Sequence, residues 1–251
     1  MSENKNIYFA SDFHLGSDGV FSSKEREKKI VRWLDSIKED AGDLYLMGDI
    51  FDYWFEYAEV IPRGFTLFLG KLHSLALNGI NIYIFTGNHD KWFFDYLEEE
   101  IGATIYRKPI VKAIGGKKFY LAHGDVLGNV SFWDKLVNSI FENKFLQWMF
   151  ARIHPNTGIK IMKYFSNLSR NSHPEYDKQF IPEREYLLGY AEEYSKKDDS
   201  IHYFVFGHRH IPIIYPLSNK FSSMVNLGDW IEHFTYGVFD GNEFKLKKYE
   251  E

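Results

Sequence analysis

Residues Leu44–Asp52 read LYLMGDIFD. Four apolar residues run straight into Gly48 and Asp49, and a second carboxylate, Asp52, follows three positions later. A short apolar run closed by a glycine is the pattern of a buried strand, and it leaves the next charge at the mouth of a sheet. Two readings of Asp49 are open on this stretch alone. It caps a strand-to-helix turn by accepting backbone N–H groups, or it bridges two metal ions. The rest of the chain decides between them.

On the N-terminal side, Ile7–Ala10 is a strand that leads into Asp12-x-His14. Ser22-Ser23-Lys24-Glu25 carries a capping-box signal, and Ile30, Leu34 and Ile37 then recur at helical spacing. On the C-terminal side, Phe65–Leu77 reads as a helix ended by Asn78-Gly79. Ile82–Thr86 is a strand running into Gly87-Asn88-His89-Asp90, and a helix is expected over Lys91–Glu100. Strands alternating with helices argue for an α/β fold. Ile110–Ile114 and Lys118–Ala122 flank Gly115-Gly116, a hairpin signal that makes the sheet mixed. The second of these strands ends in His123-Gly124-Asp125. Glu183–Ser195 is helical, Tyr203–Phe206 runs into Gly207-His208-Arg209-His210, and strands follow at Met224–Asp229, Thr235–Phe239 and Glu243–Lys247.

The chain has 251 residues, 45% hydrophobic and 18% aromatic, which suits one large domain over residues 1–251. A net charge of −5 argues against a general nucleic-acid binder, so no nucleic-acid partner is expected. The absence of cysteine excludes disulfides and thiolate metal sites. The opening MSENKN leads directly into a strand without a signal pattern. No apolar stretch approaches the ~20 residues of a membrane span. A soluble or peripheral protein, cytoplasmic, is expected. The oligomeric state is not legible.

Five apolar runs thus end in metal-competent motifs: Asp12-x-His14, Gly48-Asp49-x-x-Asp52, Gly87-Asn88-His89-Asp90, His123-Gly124 and Gly207-His208-x-His210. In open α/β folds ligands bind beyond the carboxyl ends of the strands, so five such ends can meet at one edge. Carboxylates, an amide oxygen and imidazoles make an O/N donor set that suits Mn²⁺, Fe²⁺, Zn²⁺ or Co²⁺. Two cations about 3.5–4 Å apart need a shared anionic ligand, and Asp49 is placed to be one.

With these motifs in this order, the chain resembles the calcineurin-like metallophosphoesterases. The resemblance implies a four-layer sandwich of two mixed β-sheets flanked by helices, with a dinuclear centre at the strand ends. It implies that Asp12, His14, Asp49 and His210 hold one cation and Asp49, Asn88, His123 and His208 the other. It also implies that His89 stands beside the leaving group, with Asp52 orienting it, and that Asn88 and His89 touch the substrate phosphate.

Residues 126–180 break the βα pattern and read as an inserted helical cap. Phe132, Trp133, Leu136, Val137, Ile140 and Phe141 form one apolar stripe, and dense apolar groups follow at Phe145–Ile153 and Ile159–Leu168. Lys135, Lys144, Arg152, Lys160, Lys163 and Arg170 outnumber Asp134 and Glu142 there. A basic, aromatic helical insertion in an acidic protein suits a membrane surface or an amphiphilic anionic substrate. An ordinary cap packed on the core, or a dimer face, fits the same periodicity.

The cap, Asp52 followed by Tyr53-Trp54, His123-Gly124-Asp125 and Asn226-Leu227-Gly228-Asp229-Trp230 resemble the UDP-2,3-diacylglucosamine pyrophosphatases of lipid A synthesis. That resemblance implies an amphiphilic UDP-acyl sugar as the phosphoester substrate, cleaved to UMP and the acylated sugar phosphate. Lys160, Lys163, Ser166 and Arg170 would then be substrate contacts. One departure stands out: the best-known form of that subfamily has Arg in place of His89 and Glu in place of Asp52. A phosphodiesterase or phosphatase for a soluble nucleotide or other phosphoester is the alternative, and a metal-bound non-catalytic scaffold is a third.

Overall fold

The computed structural model describes residues 5–128, 139–168, the backbone of 169–171, and 179–250. Strand β1 (Asn6–Ala10), helix α1 (Ser23–Ile37), β2 (Ala41–Leu46), α2 (Thr66–Leu77), β3 (Asn81–Phe85), α3 (Tyr96–Ile101) and β4 (Thr104–Tyr106) build the first half. β5 (Ile110–Ile114) and β6 (Lys117–Leu121) form a hairpin across Gly115 and Gly116. Their φ of 54° and 78° give the left-handed backbone that a two-residue turn requires. Helices α4 (Lys144–Phe150), α5 (Pro155–Asn171) and α6 (Tyr186–Ser195) come next. Strands β7 (Tyr203–Phe206), β8 (Ile213–Pro216), β9 (Ser223–Asn226), β10 (Thr235–Phe239) and β11 (Phe244–Lys248) complete the described strands.

The strands form two mixed sheets, ordered β11-β10-β1-β2-β3-β4 and β5-β6-β7-β9-β8. Each has a parallel centre, β1-β2-β3-β4 in one and β6-β7-β9 in the other, with antiparallel strands outside. Side-chain alternation divides each strand between two cores. Phe9, Tyr45, Met47 and Phe85 of the first sheet pack with Phe119, Leu121, Val205 and Val225 of the second. The opposite faces take helices. Tyr8, Ala10, Leu44, Leu46, Ile82 and Ile84 pack with Ile30, Trp33 and Leu34 of α1 and Phe68 and Leu72 of α2. Tyr120, Phe204 and Met224 pack with Leu187, Leu188 and Ala191 of α6. The result is the four-layer sandwich of two mixed β-sheets between helices.

The capping box at Ser22 is formed in full with Glu25. The helix expected at Lys91 begins only at Tyr96. Buried Glu56 draws the Phe94, Asp95 and Tyr96 N–H groups onto one carboxylate oxygen and so fixes the start there. Trp92 meanwhile pairs with Phe55 in an isolated bridge. Strands β4 and β8 carried no usable signal: one has three residues, and the other alternates half-buried with exposed positions.

Between β6 and β7, α4 and α5 sit against the strand-end loops. Trp92 Nε1 donates to the Phe141 carbonyl at 2.7 Å. The Phe150 ring lies 4.8 Å from Phe55 and 4.9 Å from Trp92. Gly158 lets α5 approach the Tyr57 hydroxyl and Phe150, where a Cβ would collide. Phe132, Trp133, Leu136 and Val137 of the expected stripe lie outside the described residues, as do Lys135 and the Arg170 side chain. Among the described residues, no helix is long and apolar enough to cross a membrane.

Candidate metal centre

Every motif singled out in the sequence follows the C-terminal end of a parallel strand. Asp12 and His14 follow β1, Asp49 and Asp52 follow β2, and Asn88 and His89 follow β3. From the second sheet, His123 follows β6, and His208 and His210 follow β7. The loops are laced together through their backbones. Asp12 N donates to the Gly48 carbonyl and His14 N to that of Asp49, while Gly207 N donates to that of His123.

Five of these residues have left-handed backbone: Asp12 (φ 56°), His14 (43°), Asp49 (51°), His208 (66°) and His210 (56°). Asp and His tolerate this region better than most residues, but each such position still costs about 1–3 kcal/mol. The reversal turns each side chain inward at the strand end, over the seam between the sheets. Gly48 (φ 97°) is also required, because a Cβ there would lie 2.5 Å from His123 Nδ1.

The side chains fall into overlapping groups whose ligand atoms lie within 4.8 Å of one another: Asp12, His14 and His210; Asp49, His123 and His208; and His14, Asp49 and His89. His210 Nε2 is 3.2 Å from Asp12 Oδ1, and His14 Nε2 is 3.7 Å from Asp49 Oδ2. His123 Nε2 is 3.3 Å from that same Asp49 oxygen. Asn88 Oδ1 is 3.0 Å from His208 Nδ1 and 3.4 Å from His123 Nε2. All seven expected ligands are therefore together, with Asp49 between the two sets.

A calcineurin-like phosphoesterase family model matches residues 5–212. This chain belongs to that family. It is a metal-dependent hydrolase. A Porphyromonas gingivalis protein named UDP-2,3-diacylglucosamine hydrolase is 37% identical over 257 residues, covering 98% of each chain. Proteins of the same name from Aeromonas salmonicida and Hahella chejuensis are 24% and 25% identical. They cover 96% and 95% of this chain, and 92% and 95% of their own lengths.

The donor set of this phosphoesterase fits divalent cations on physical grounds. Asp12 Oδ1 and both ring nitrogens of His14 are buried without a hydrogen-bond partner, a costly state for polar atoms unless a ligand meets them. Burial pushes the His14 imidazole down to about 3 and His208 down to about 4. At His123 and His210 burial is outweighed by the facing carboxylates, Asp49 and Asp12 respectively, and both rise to about 10. Buried carboxylates that draw protons onto neighbouring imidazoles mark a place built around positive charge.

Three residues without an expected role support the centre. Asp90, fully buried, accepts from Gly87 N at 2.8 Å and Ile50 N at 2.7 Å, joining the turns after β3 and β2. Burial and the Asp49 carboxylate push it up to about 7. Asp229 Oδ2 stands 3.4 Å from His210 Nδ1, opposite the ring nitrogen that faces Asp12. Both aspartates were visible inside their motifs. Arg26 gave no sequence signal, yet its buried guanidinium donates to the carbonyls of Phe13, His14 and Ser17. A helical arginine is ordinarily exposed.

The expected neighbours Asp52 and His89 are together, with His89 Nδ1 3.9 Å from the Asp52 carboxylate. His89 Nδ1 is 3.2 Å from the Asp52 carbonyl oxygen, while the carboxylate is turned to His14 Nδ1 at 3.4 Å and to Ser166. Ser166 is buried and donates to Asp52 Oδ2 at 2.6 Å, and Lys163 Nζ lies 5.1 Å from the Tyr53 ring centroid. Lys160 is exposed. Beside His123 a cavity of about 670 Å³ opens, lined by Phe94, Tyr106 and Phe141 and by Lys91, Arg107 and Lys144.

Proposed function

We propose that this phosphoesterase cleaves the pyrophosphate of UDP-2,3-diacylglucosamine, giving UMP and the acylated glucosamine 1-phosphate. The observation that carries this reading is the relative of that name, 37% identical across 98% of both chains. The surface of α4 and α5 supports it. Phe145, Trp148 and Met149 on α4 and Tyr164, Phe165 and Leu168 on α5 are exposed beside Arg152, Lys160 and Lys163. Apolar rings interleaved with cations suit acyl chains, an anionic headgroup and peripheral contact with the inner membrane. Residues 126–180 would then act as a cap over the centre.

Asp12, His14, Asp49 and His210 would hold one cation and Asp49, Asn88, His123 and His208 the other, with Mn²⁺ favoured. When bound, the cations supply Lewis-acid polarisation of phosphoryl oxygens and a water acidic enough to ionise near neutral pH. Asp49 is held in place by the His89 N–H, which donates to its Oδ1 at 2.9 Å. His89 directs Nδ1–H to the Asp52 carbonyl, so Nε2 carries a proton only in the imidazolium form. In that form it can donate to the departing phosphate oxygen. The Asn88 amide N–H₂ is available to a substrate phosphoryl oxygen, because its carbonyl oxygen faces His123 and His208.

The presence of His89 and Asp52, the pair of the wider family, favours a second reading: hydrolysis of a soluble nucleotide or other phosphoester. UMP release decides between them, measured on UDP-2,3-diacylglucosamine and on a non-acylated UDP-sugar, with and without Mn²⁺. The first reading expects Mn²⁺-dependent UMP release that requires the acyl chains. Turnover of small diesters with the acylated substrate left intact overturns it.

A further inference from the structure

Ser166 lies on α5, far in sequence from every strand-end motif, yet only 6% of it is exposed. Its hydroxyl donates to Asp52 Oδ2 at 2.6 Å, across 114 positions of chain. The other oxygen of that carboxylate, Oδ1, is 3.4 Å from His14 Nδ1. His14 Nε2 then stands 3.8 Å from Asp12 Oδ1 and 3.7 Å from Asp49 Oδ2. The contacts run from helix to metal centre through buried groups throughout: Asp52 is 3% exposed and His14 1%.

We propose that Ser166 is a positioning residue for the first cation, holding the Asp52 carboxylate against His14 and so coupling the docking of α5 to cation binding. This rests on the reading that Asp12, His14, Asp49 and His210 hold a cation.

A neutral imidazole offers one nitrogen to a cation and carries its proton on the other. Nε2 of His14 faces Asp12 and Asp49, so the useful tautomer has its proton on Nδ1. His14 Nδ1 closes no hydrogen bond within the protein, but it faces the Asp52 carboxylate at 3.4 Å, and a carboxylate on that side favours the tautomer and orients the ring, as outer partners of metal-binding histidines do. The backbone of Asp52 is already committed: its N–H donates to the Leu15 carbonyl and its carbonyl faces His89 Nδ1. Its carboxylate is held separately, with Ser166 among its partners. A short hydroxyl-to-carboxylate bond is charge-assisted, and it takes the oxygen that His14 does not use. With Oδ2 anchored, Oδ1 stays on His14.

The same geometry makes the effect reciprocal. If docked α5 raises cation affinity, a bound cation must tighten α5 by the same free energy. A serine that only contacts substrate, or only pins the helix, has neither consequence.

The test uses full-length protein stripped by a chelator and titrated with Mn²⁺ in the absence of substrate. Ser166→Ala is expected to weaken one of the two binding events roughly 10–100-fold. In the wild type, hydrogen exchange of the α5 amides is expected to slow when Mn²⁺ is added, and in Ser166→Ala that slowing should shrink. Unchanged Mn²⁺ affinity in the variant, or α5 exchange in the wild type indifferent to Mn²⁺, overturns the proposal. If Ser166→Ala does not fold, the wild-type exchange measurement decides alone. A wild type that binds no Mn²⁺ sinks the cation reading itself, which is a distinguishable result.

Discussion

His89 Nδ1 lies 3.2 Å from the main-chain oxygen of Asp52 and 3.9 Å from that residue's carboxylate. The ring is thus held by backbone, and the two side chains are free to differ in role. His89→Ala is expected to lower kcat by about 10²–10⁴-fold with Mn²⁺ affinity retained. Asp52→Asn keeps the carbonyl, so its effect should fall on Mn²⁺ affinity. A double-mutant cycle in kcat checks the separation. Strong coupling between the two would mean that His89 acts through the carboxylate after all.

Asp49 Oδ2 faces both His14 and His123, at 3.7 and 3.3 Å. Asp49→Ala should therefore lose both cations together. Metal content by mass spectrometry after dialysis reads this directly. Retention of one equivalent would show that the two sets do not share this residue.

Gly87 has no positive φ, so the reason for glycine there is closeness: a Cβ would run into the Asp49 carboxylate and lie 2.5 Å from Asp49 N. Gly87→Ala should shift Asp49 and cost on the order of 10²-fold in kcat, since displacements near 1 Å suffice for that. The far-ultraviolet circular dichroism should be unchanged.

Arg26 is 1% exposed and gathers the carbonyls of the loop after β1. Arg26→Ala strands those acceptors and should destabilise the fold by roughly 2–4 kcal/mol, read by urea denaturation with chelator present. A change under about 0.5 kcal/mol, the range of ordinary surface substitutions, would show that water replaces the guanidinium.

Trp148 is 54% exposed on α4. Trp148→Ala should reduce turnover of an acylated UDP-sugar several-fold while sparing a small chromogenic diester. Equal losses on both would assign this ring a structural task.

The gathering of these side chains was legible because each sits in a short motif immediately after an apolar run, and strand ends converge in this class of fold. What the motifs could not carry was partner choice. Asp52 just after Gly48-Asp49 predicts proximity to His89, but not that its carboxylate also meets Ser166, more than a hundred residues away. Arg26 was hidden for a related reason. On α1 its spacing is that of any helical cation, and only the loop folded over it turns it into a buried donor. The start of α3 was misread because Glu56, in a separate loop, supplies the cap.

The two sheets contribute unequally to one centre: Asp12, His14, Asp49 and Asn88 come from the first, and His123, His208 and His210 from the second. The first sheet is itself unfinished until β10 returns to pair with β1. A nascent chain emerging from the ribosome therefore holds only part of the centre until its last quarter has been made. Truncated or stalled products that end before residue 208 lack both His208 and His210, two of the seven side chains gathered at this strand edge.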